Sequence, residues 1–304
     1  TNDNMDEIRR LDRSRVPGLK LFLGSSTGNM LVDKKDSLER IFGEAGMLIA
    51  IHAEKEEVIK RNIAHYTGLH GDDLDISFHS KIRSEEACYA SSSEAVELAT
   101  RLGSRLHILH LSTAKELSLL SNKLPISEKK ITGEVCVHHL WFYDGDYEQF
   151  GNRIKWNPSI KTLADRTALR EAVNNNTIDI VATDHAPHTE EDKRGGAPGM
   201  VGLETAFSVC YTKLCREYGM PLADLSRLMS RGPAEILGLN KGLIAEGYDG
   251  DVVLVELGEP YTVRREDFAG KSKNTPYDGL SQYGRVACTV KAGRVTYGTM
   301  EAIG

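Results

Sequence analysis

Short apolar runs of β character alternate along most of the chain with longer segments in which apolar residues recur at helical spacing. The runs predict six strands: Gly18–Gly24, Met47–Glu54, Leu106–Ser112, Glu134–Leu140, Ile154–Pro158 and Ile178–Asp184. The intervening segments predict helices over Lys34–Ala45, Ser84–Leu102, Ala114–Lys123, Leu163–Asn174, Gly202–Tyr218 and Ala223–Leu237. Such an alternation is typical of βαβ units, so we expect an α/β fold with a parallel sheet.

Beyond Gly238 the pattern changes to short strands separated by glycine-rich turns. Strands are predicted at Asp251–Glu256, Arg285–Lys291 and Arg294–Tyr297. We therefore expect two units: a barrel-forming part at residues 1–238 and a small β-rich module at residues 239–304. Within the first unit, the segment His185–Val201 is rich in glycine, proline and charged residues. This composition predicts a long functional loop.

Composition excludes several classes of protein. The 304 residues carry 44 acidic and 38 basic side chains, a net charge of −6, with the two signs mixed along the chain. This balance argues against a nucleic-acid partner and against binding to an anionic membrane, and no stretch is apolar enough to span a bilayer. Five widely spaced cysteines without a CxxC pair suggest neither a disulfide framework nor a thiolate zinc site, which fits a reducing cytoplasm.

Side chains that can bind a metal ion or exchange a proton lie within or at the ends of four predicted strands. Lys20 lies inside the first run, whereas His52, His110 and Asp184 end later runs. In a (β/α)₈ barrel, polar groups at the carboxyl ends of strands form the catalytic rim. A buried ammonium ion at Lys20 would be costly unless it had a partner or lost its proton, and a neutral amine can capture CO₂ as a carbamate. Histidine and carboxylate ligands together suit zinc.

Other histidines and one glycine-rich segment admit simpler interpretations. Because side chains alternate along a strand, only one of His107 and His110 can face a common site, and His107 is expected to pack against a helix. The same rule separates His138 from His139, which are candidates for structural or supporting roles. Gly24–Gly28 looks like a phosphate cradle but lacks the GK[ST] ending of a P-loop, so phosphate binding is not expected.

Several motifs together resemble the dihydroorotases of the cyclic amidohydrolase superfamily. They are GLKLFLGSSTGNML, IHAE, HILHLSTAKE, GEVCVHHL, KWNPSIK, ATDHAPHT, GLETAF and KSKNTPYDG. The resemblance extends from about Val16 to the C-terminus. It implies a (β/α)₈ TIM barrel of the amidohydrolase type, with the β-rich module at residues 239–304 forming half of a sandwich.

The resemblance also implies a metal centre. Lys20 would be a carboxylated lysine that bridges two zinc ions in each subunit, and His52 and His110 would bind the second ion. Asp184 would bind the first ion and act as the catalytic carboxylate that transfers a proton. Some relatives have an aspartate at the bridging position, whereas this chain has Lys20.

The substrate implied by the resemblance is a small molecule, dihydroorotate, which is interconverted with N-carbamoyl-L-aspartate in pyrimidine biosynthesis. Asn157 and His188 would hold the pyrimidine ring, and the backbone around Pro198 and Gly199 would close over it. We also expect a homodimer. A hydantoinase, dihydropyrimidinase or allantoinase is the alternative within the same chemistry, and a non-catalytic scaffold is the alternative outside it.

One feature departs from the family pattern. Relatives begin the metal site with an HxH pair on the first barrel strand, and this sequence contains no HxH. Lys20 is therefore placed on the third strand of the barrel. The first two strands and the N-terminal part of the sandwich would lie in a preceding segment of roughly a hundred residues or more. The alternative is a shortened protein that could not be a normal enzyme of this family. The presence of Lys20, His52, His110 and Asp184 favours the first interpretation.

Overall fold

Five parallel strands lie side by side in the order in which they occur along the chain. The computed structural model describes residues 1–24 and 30–299. The strands are β1 (Gly18–Phe22), β2 (Leu48–His52), β3 (Leu106–Ile108), β4 (Ile131–Cys136) and β5 (Ile180–Ala182). Sequential parallel strands joined by helical crossovers are the arrangement of a (β/α)₈ barrel, so the predicted α/β barrel class is confirmed. Most of the Gly24–Gly28 segment lies outside the described residues.

Helices fill most of the connections. They are α1 (Met5–Arg9), α2 (Lys35–Glu44), α3 (Glu56–His70), α4 (His79–Ile82), α5 (Glu85–Leu102), α6 (Val137–Trp141), α7 (Tyr147–Phe150), α8 (Leu163–Asn174), α9 (Glu190–Arg194), α10 (Ala206–Cys210), α11 (Leu222–Ser226) and α12 (Gly232–Leu237). The segments Tyr211–Glu217 and Arg227–Arg231, which follow α10 and α11, are π-helical. Short 3₁₀ helices lie at Ile76–Phe78, Lys115–Leu119, Ile126–Glu128, Asp144–Asp146, Gly151–Ile154, Leu203–Thr205 and Arg265–Asp267.

The two best-predicted helices begin at side-chain caps that the sequence displays. Ser84 accepts a hydrogen bond from the Ala87 amide at the start of α5, which ends at the left-handed Gly103. Thr162 and Asp165 form a reciprocal capping box at the start of α8. Such caps satisfy amide groups that have no partner within the helix, and they set where each helix begins.

The residues around His65, His70 and His79 predict an irregular polar segment with solvated imidazoles, but the structure has helix α3 over most of it. This 15-residue helix buries only Val58 and Ile59, so its apolar stripe is too narrow to give a helical pattern. His65 and His70 lie on it and are exposed, as expected of solvated residues. His79 on α4 differs, because its Nε2 donates to the Trp156 carbonyl at 2.7 Å.

The strand predicted at Ile154–Pro158 does not exist. A 3₁₀ helix ends at Ile154, and the extended residues that follow pair with no strand of the described sheet. Ile154 and Trp156 are buried while Lys155 and Asn157 are partly exposed. Burial with a period of two therefore arises here from an extended segment that packs on the core, with the Trp156 ring stacked on His138 at 4.3 Å between centroids.

Strand β4 also ends earlier than predicted, and a helix follows it. His138 and His139 lie on α6 rather than on a strand, so the alternation that separates them does not apply. In the same way, the helix predicted over Ala114–Lys123 is only a short 3₁₀ turn at Lys115–Leu119. The loop predicted at His185–Val201 contains the short helix α9, which begins with a capping box between Thr189 and Asp192.

The C-terminal residues form the expected small antiparallel module. Strands β6 (Val252–Glu256), β9 (Arg285–Lys291) and β10 (Arg294–Gly298) pair in the order β10-β9-β6. A two-residue pair, β7 (Tyr261–Thr262) with β8 (Ser281–Gln282), lies beside them in sequence. The boundary at residue 238 stays a prediction. Among residues 1–24 and 30–299, no helix has the length and apolar character needed to cross a bilayer.

Candidate active site

Two buried imidazoles face each other at the carboxyl ends of neighbouring strands. His52 is the last residue of β2, and His110 follows β3 by two residues. The distance from His52 Nδ1 to His110 Nε2 is 3.0 Å, and both side chains are almost fully buried. His110 has a φ of 39°, a left-handed conformation that non-glycine residues adopt rarely and often at functional sites.

His107 and His110 lie on either side of the end of β3. The prediction extended β3 past residue 110, whereas the strand ends at Ile108 and the alternation ends with it. His107 Nδ1 lies 2.8 Å from Thr132 Oγ1, and its Nε2 lies 3.1 Å from Glu134 Oε2, while its predicted packing against a helix stays a prediction. Glu134 also accepts a long 3.4 Å hydrogen bond from the His110 amide, so His107 and Glu134 support the backbone at His110.

A buried carboxylate orients His52. Glu54 is inaccessible to solvent, and its Oε2 accepts hydrogen bonds from His52 Nε2 at 2.9 Å and from Arg83. Burial raises the pKa of Glu54, but the Arg83 charge and the His52 hydrogen bond outweigh burial and lower that pKa to about 2. The ionised Glu54 holds the Nε2 proton of His52. The Nδ1 lone pair of His52 is thereby left pointing at His110, which is the usual arrangement of a metal-binding histidine.

Replacing Glu54 by glutamine should destabilise the fold in a pH-dependent way. Because the folded-state pKa lies below the ordinary value of 4.5, the carboxylate stabilises the fold above about pH 4.5, and this stabilisation is lost as the pH falls toward 2. At about 1.4 kcal/mol per pKa unit, the variant should lose on the order of 3 kcal/mol at pH 7 and progressively less in acid. Urea unfolding at several pH values would measure this, with the exposed Glu128→Gln as control. A loss that is equal at pH 7 and pH 3 would contradict the assigned ion pair.

Lys20 lies on the same face of the sheet as His52. In the register between β1 and β2, Lys20 pairs with Ala50 and Phe22 pairs with His52. Lys20 Nζ lies 4.8 Å from the centroid of the Phe22 ring. The prediction of a buried amine is wrong, because the Lys20 side chain is exposed. Strand β1 lies at the edge of the described sheet.

Asp184 lies two residues beyond β5 and is partly buried. Like His110, it has a positive φ, here 44°. Burial raises the pKa of its carboxyl group; the positive charge of Lys20 opposes this effect, and the negative charge of Glu134 adds to it. Asp184 therefore belongs to the same electrostatic environment as Lys20 and Glu134.

The compact group of candidate ligands in the described part of the chain is not the predicted one. Within residues 1–24 and 30–299, one set of three candidate ligands has all its donor atoms within 4.8 Å of one another, and it consists of Cys136, His138 and His139. The expectation that His138 and His139 face opposite sides is therefore wrong, because α6 brings both rings to one cluster. Among the described residues, His52, His110 and Asp184 form no such set.

The pair of His52 and His110 nevertheless fits a metal ion. Two nitrogens bound to one tetrahedral zinc at about 2.0–2.1 Å are separated by about 3.3 Å, close to the 3.0 Å between His52 Nδ1 and His110 Nε2. In addition, His110 Nδ1 is buried without a hydrogen-bond partner, so the ring is not held in place by a protein acceptor on its other side.

Three of the predicted substrate-binding residues, His188, Pro198 and Gly199, lie in the loop after β5. His188 Nε2 donates to the Pro198 carbonyl at 2.9 Å, and the Gly199 amide donates to the Lys155 carbonyl at 2.9 Å. Gly199 has a φ of +127°, and a Cβ there would lie 2.7 Å from Ala186, so this close approach requires glycine. Two residues after Lys155, Asn157 Oδ1 is buried without a hydrogen-bond partner.

Three residues of this region were missed from the sequence. Glu54 could have been found, because it lies two residues after His52 and the strand period of two places both on one face. Arg83 and Glu134 gave no comparable signal. Each reaches the site from a distant segment of the chain, and only folding brings them to His52 and His110.

Comparison with known proteins places the chain in a family. The model of the amidohydrolase family matches residues 33–296. A dihydroorotase from Clostridium botulinum is 42% identical over 206 residues, which cover 66% of this chain and 49% of that protein. A dihydroorotase from Lactiplantibacillus plantarum is 34% identical over 260 residues, 84% of this chain and 59% of that protein.

Solved structures include proteins with a similar fold. An L-hydantoinase (dihydropyrimidinase) from Arthrobacter aurescens superimposes with a TM-score of 0.89 at 25% identity, covering 97% of this chain and 68% of that one. The chain spans about half the length of the curated relatives it matches. Because the family match covers most of the chain and the fold agrees with it, this chain belongs to the amidohydrolase family.

Proposed function

We propose that the protein is a dihydroorotase, which interconverts dihydroorotate and N-carbamoyl-L-aspartate in pyrimidine biosynthesis. The observation that carries the proposal is the facing pair of His52 and His110, oriented by Glu54, in a chain that is 42% identical over 206 residues to a protein named dihydroorotase. In the hydrolytic direction, water adds to the ring amide carbonyl, the carbon–nitrogen bond breaks, and the leaving nitrogen gains a proton.

The side chains at the strand ends would hold the metal cofactor. His52, His110 and Asp184 would be ligands, and carboxylated Lys20 would bridge two zinc ions, as in the family that the sequence resembles. When bound, such ions supply Lewis-acid activation of water and of the amide carbonyl. The 3.0 Å separation of the two imidazole nitrogens and the carboxylate behind His52 support this assignment.

Asp184 would move the proton. As a carboxylate it can take a proton from the attacking water, and as the acid it can give that proton to the leaving ring nitrogen. Burial, which raises the pKa of Asp184, favours the protonated form that the second step needs. Its position beyond the end of β5 places it at the rim where the strand-end histidines also lie.

The loop after β5 and the segment at Asn157 would bind the ring. The buried Asn157 Oδ1 can accept a hydrogen bond from a ring N–H group, because no protein donor occupies it. His188 contacts the Pro198 carbonyl, so the imidazole and the backbone around Pro198 and Gly199 form one surface. A ring amide and a carboxylate offer the donors and acceptors that such a surface recognises.

Asn157→Ala should raise the KM for dihydroorotate by about 5- to 100-fold and change kcat much less, because one buried hydrogen bond of about 1–3 kcal/mol is lost. Steady-state kinetics in the hydrolytic direction would measure both constants. Asn174→Ala, at the exposed end of α8, is the matched control. A large fall in kcat with an unchanged KM would remove Asn157 from substrate binding.

Substrate assays test the function itself. Purified protein should hydrolyse dihydroorotate in preference to hydantoin and dihydrouracil. The second candidate is a hydantoinase or dihydropyrimidinase, which the structural likeness to the Arthrobacter aurescens enzyme favours. Preference for hydantoin would select that candidate, and no turnover of any ring substrate by metal-replete protein would favour a non-catalytic scaffold.

The five cysteines are all free thiols, which supports a reducing cytoplasm as the working compartment. A homodimer remains part of the proposal.

A further inference from the structure

A lysine is buried in the loop that carries the proposed substrate-binding backbone. Lys193 lies on the short helix α9, and only 2% of its surface is accessible to solvent. Its Nζ donates to the Ala197 carbonyl at 2.9 Å and to the Lys155 carbonyl at 3.3 Å. Among the described residues it forms no ion pair with a carboxylate. A buried ammonium group without a counter-charge is unfavourable for folding alone, so its position calls for another reason.

Both acceptors of Lys193 adjoin residues that would contact substrate. Ala197 directly precedes Pro198 and Gly199, and Lys155 precedes Asn157 by two residues. The Lys155 carbonyl accepts a second hydrogen bond, from the Gly199 amide at 2.9 Å. The Lys155 carbonyl therefore links the segment that carries Asn157 to the loop that carries Gly199. Lys193 adds a second link, because it bonds both to this carbonyl and to the Ala197 carbonyl in the loop.

We propose that Lys193 is a positioning residue, which holds the backbone at Pro198–Gly199 at a set distance from Asn157 and so shapes the ring-binding surface. The inference rests on the proposed function for its substrate but not for the contact itself. Burial, with a smaller effect of the Lys155 charge, lowers the pKa of Lys193 to about 8, as expected of an ammonium group that lacks a carboxylate partner. A purely structural anchor would stabilise the loop equally but would leave the affinity for substrate unchanged.

Amide hydrogen exchange tests the contact without any need for turnover. Lys193→Met preserves much of the side-chain volume and removes all donors, whereas Lys193→Gln keeps a donor without the charge. In Lys193→Met, the Gly199 amide should exchange at least about tenfold faster, with the central strands β2 and β3 unchanged. Lys193→Gln should fall between this variant and the wild type. Arg194→Met, on the exposed neighbour in α9, is the matched control.

Kinetics then separates positioning from anchoring. Lys193→Met should raise the KM for dihydroorotate at least about tenfold with kcat within about twofold of wild type. Wild-type protection of Gly199 in Lys193→Met would overturn the proposal, as would faster exchange with an unchanged KM. If Lys193→Met loses protection throughout the chain, Lys193→Gln decides: wild-type protection of Gly199 with wild-type KM would also overturn it. A wild-type protein without dihydroorotate turnover would instead refute the proposed function and leave the exchange result standing.

Discussion

Replacing Asp184 by asparagine should lower kcat for dihydroorotate by at least about 10³-fold, because the amide can neither take a proton from water nor return one to the leaving nitrogen. The same change removes a proposed metal ligand, so the loss should be the largest of any single substitution at the site. Steady-state assays in both directions, with metal content measured on the same sample, would test this. Near-normal activity would remove Asp184 from the mechanism.

The fold should tolerate this substitution. Burial raises the pKa of Asp184, so its ionised form destabilises the folded state at neutral pH relative to a neutral side chain. Asparagine also adopts the left-handed backbone conformation seen at this position, where φ is 44°. The melting temperature at pH 7 should therefore be unchanged or higher. Asp73→Asn, in an exposed connection, is the control, and a collapse of the melting temperature in Asp184→Asn alone would mean that the activity loss reflects misfolding.

The second large effect concerns Lys20. Lys20→Ala should lower the zinc content of the complete protein well below that of the wild type, because a carbamate at this position would supply oxygen ligands to the metal. Lys20→Arg should behave in the same way, since a guanidinium keeps the positive charge but does not form the carbamate. Elemental analysis after dialysis in bicarbonate buffer would measure the metal.

The control for Lys20 is a lysine on the exposed side of a helix. Lys60→Ala on α3 removes one ammonium group and should leave the zinc content unchanged. An unchanged zinc content in both Lys20 variants would exclude the carbamate bridge. The exposed position of Lys20 on the edge strand β1 makes its amine accessible to CO₂ in solution.

The sequence correctly indicated the positions of titratable residues that lie at or just beyond the end of a strand. His52 ends an apolar run that is a strand in the structure, and Asp184 follows another, so the barrel rule located both. Prediction failed where a strand ended early. The alternation rule separated His138 from His139, because it was applied beyond the last residue of β4.

The segments that sequence patterns misjudged share a physical cause. Helix α3 buries two apolar residues, and the extended residues around Trp156 bury alternate side chains without joining a sheet. Periodicity reports which side chains are buried, not which backbone partner buries them. Long-range packing therefore overrides the local pattern in both segments.

The order of residues alone determined the class of fold, the approximate positions of the central strands, and the kinds of side chain that end them. These properties follow from local periodicity, capping and turn chemistry, which act over a few residues. Three-dimensional folding is needed to bring His52 opposite His110, to put Glu54 and Arg83 behind that pair, and to let Lys193 join two loops. Those contacts link residues tens of positions apart, and their distances depend on how parallel strands align and where each one ends.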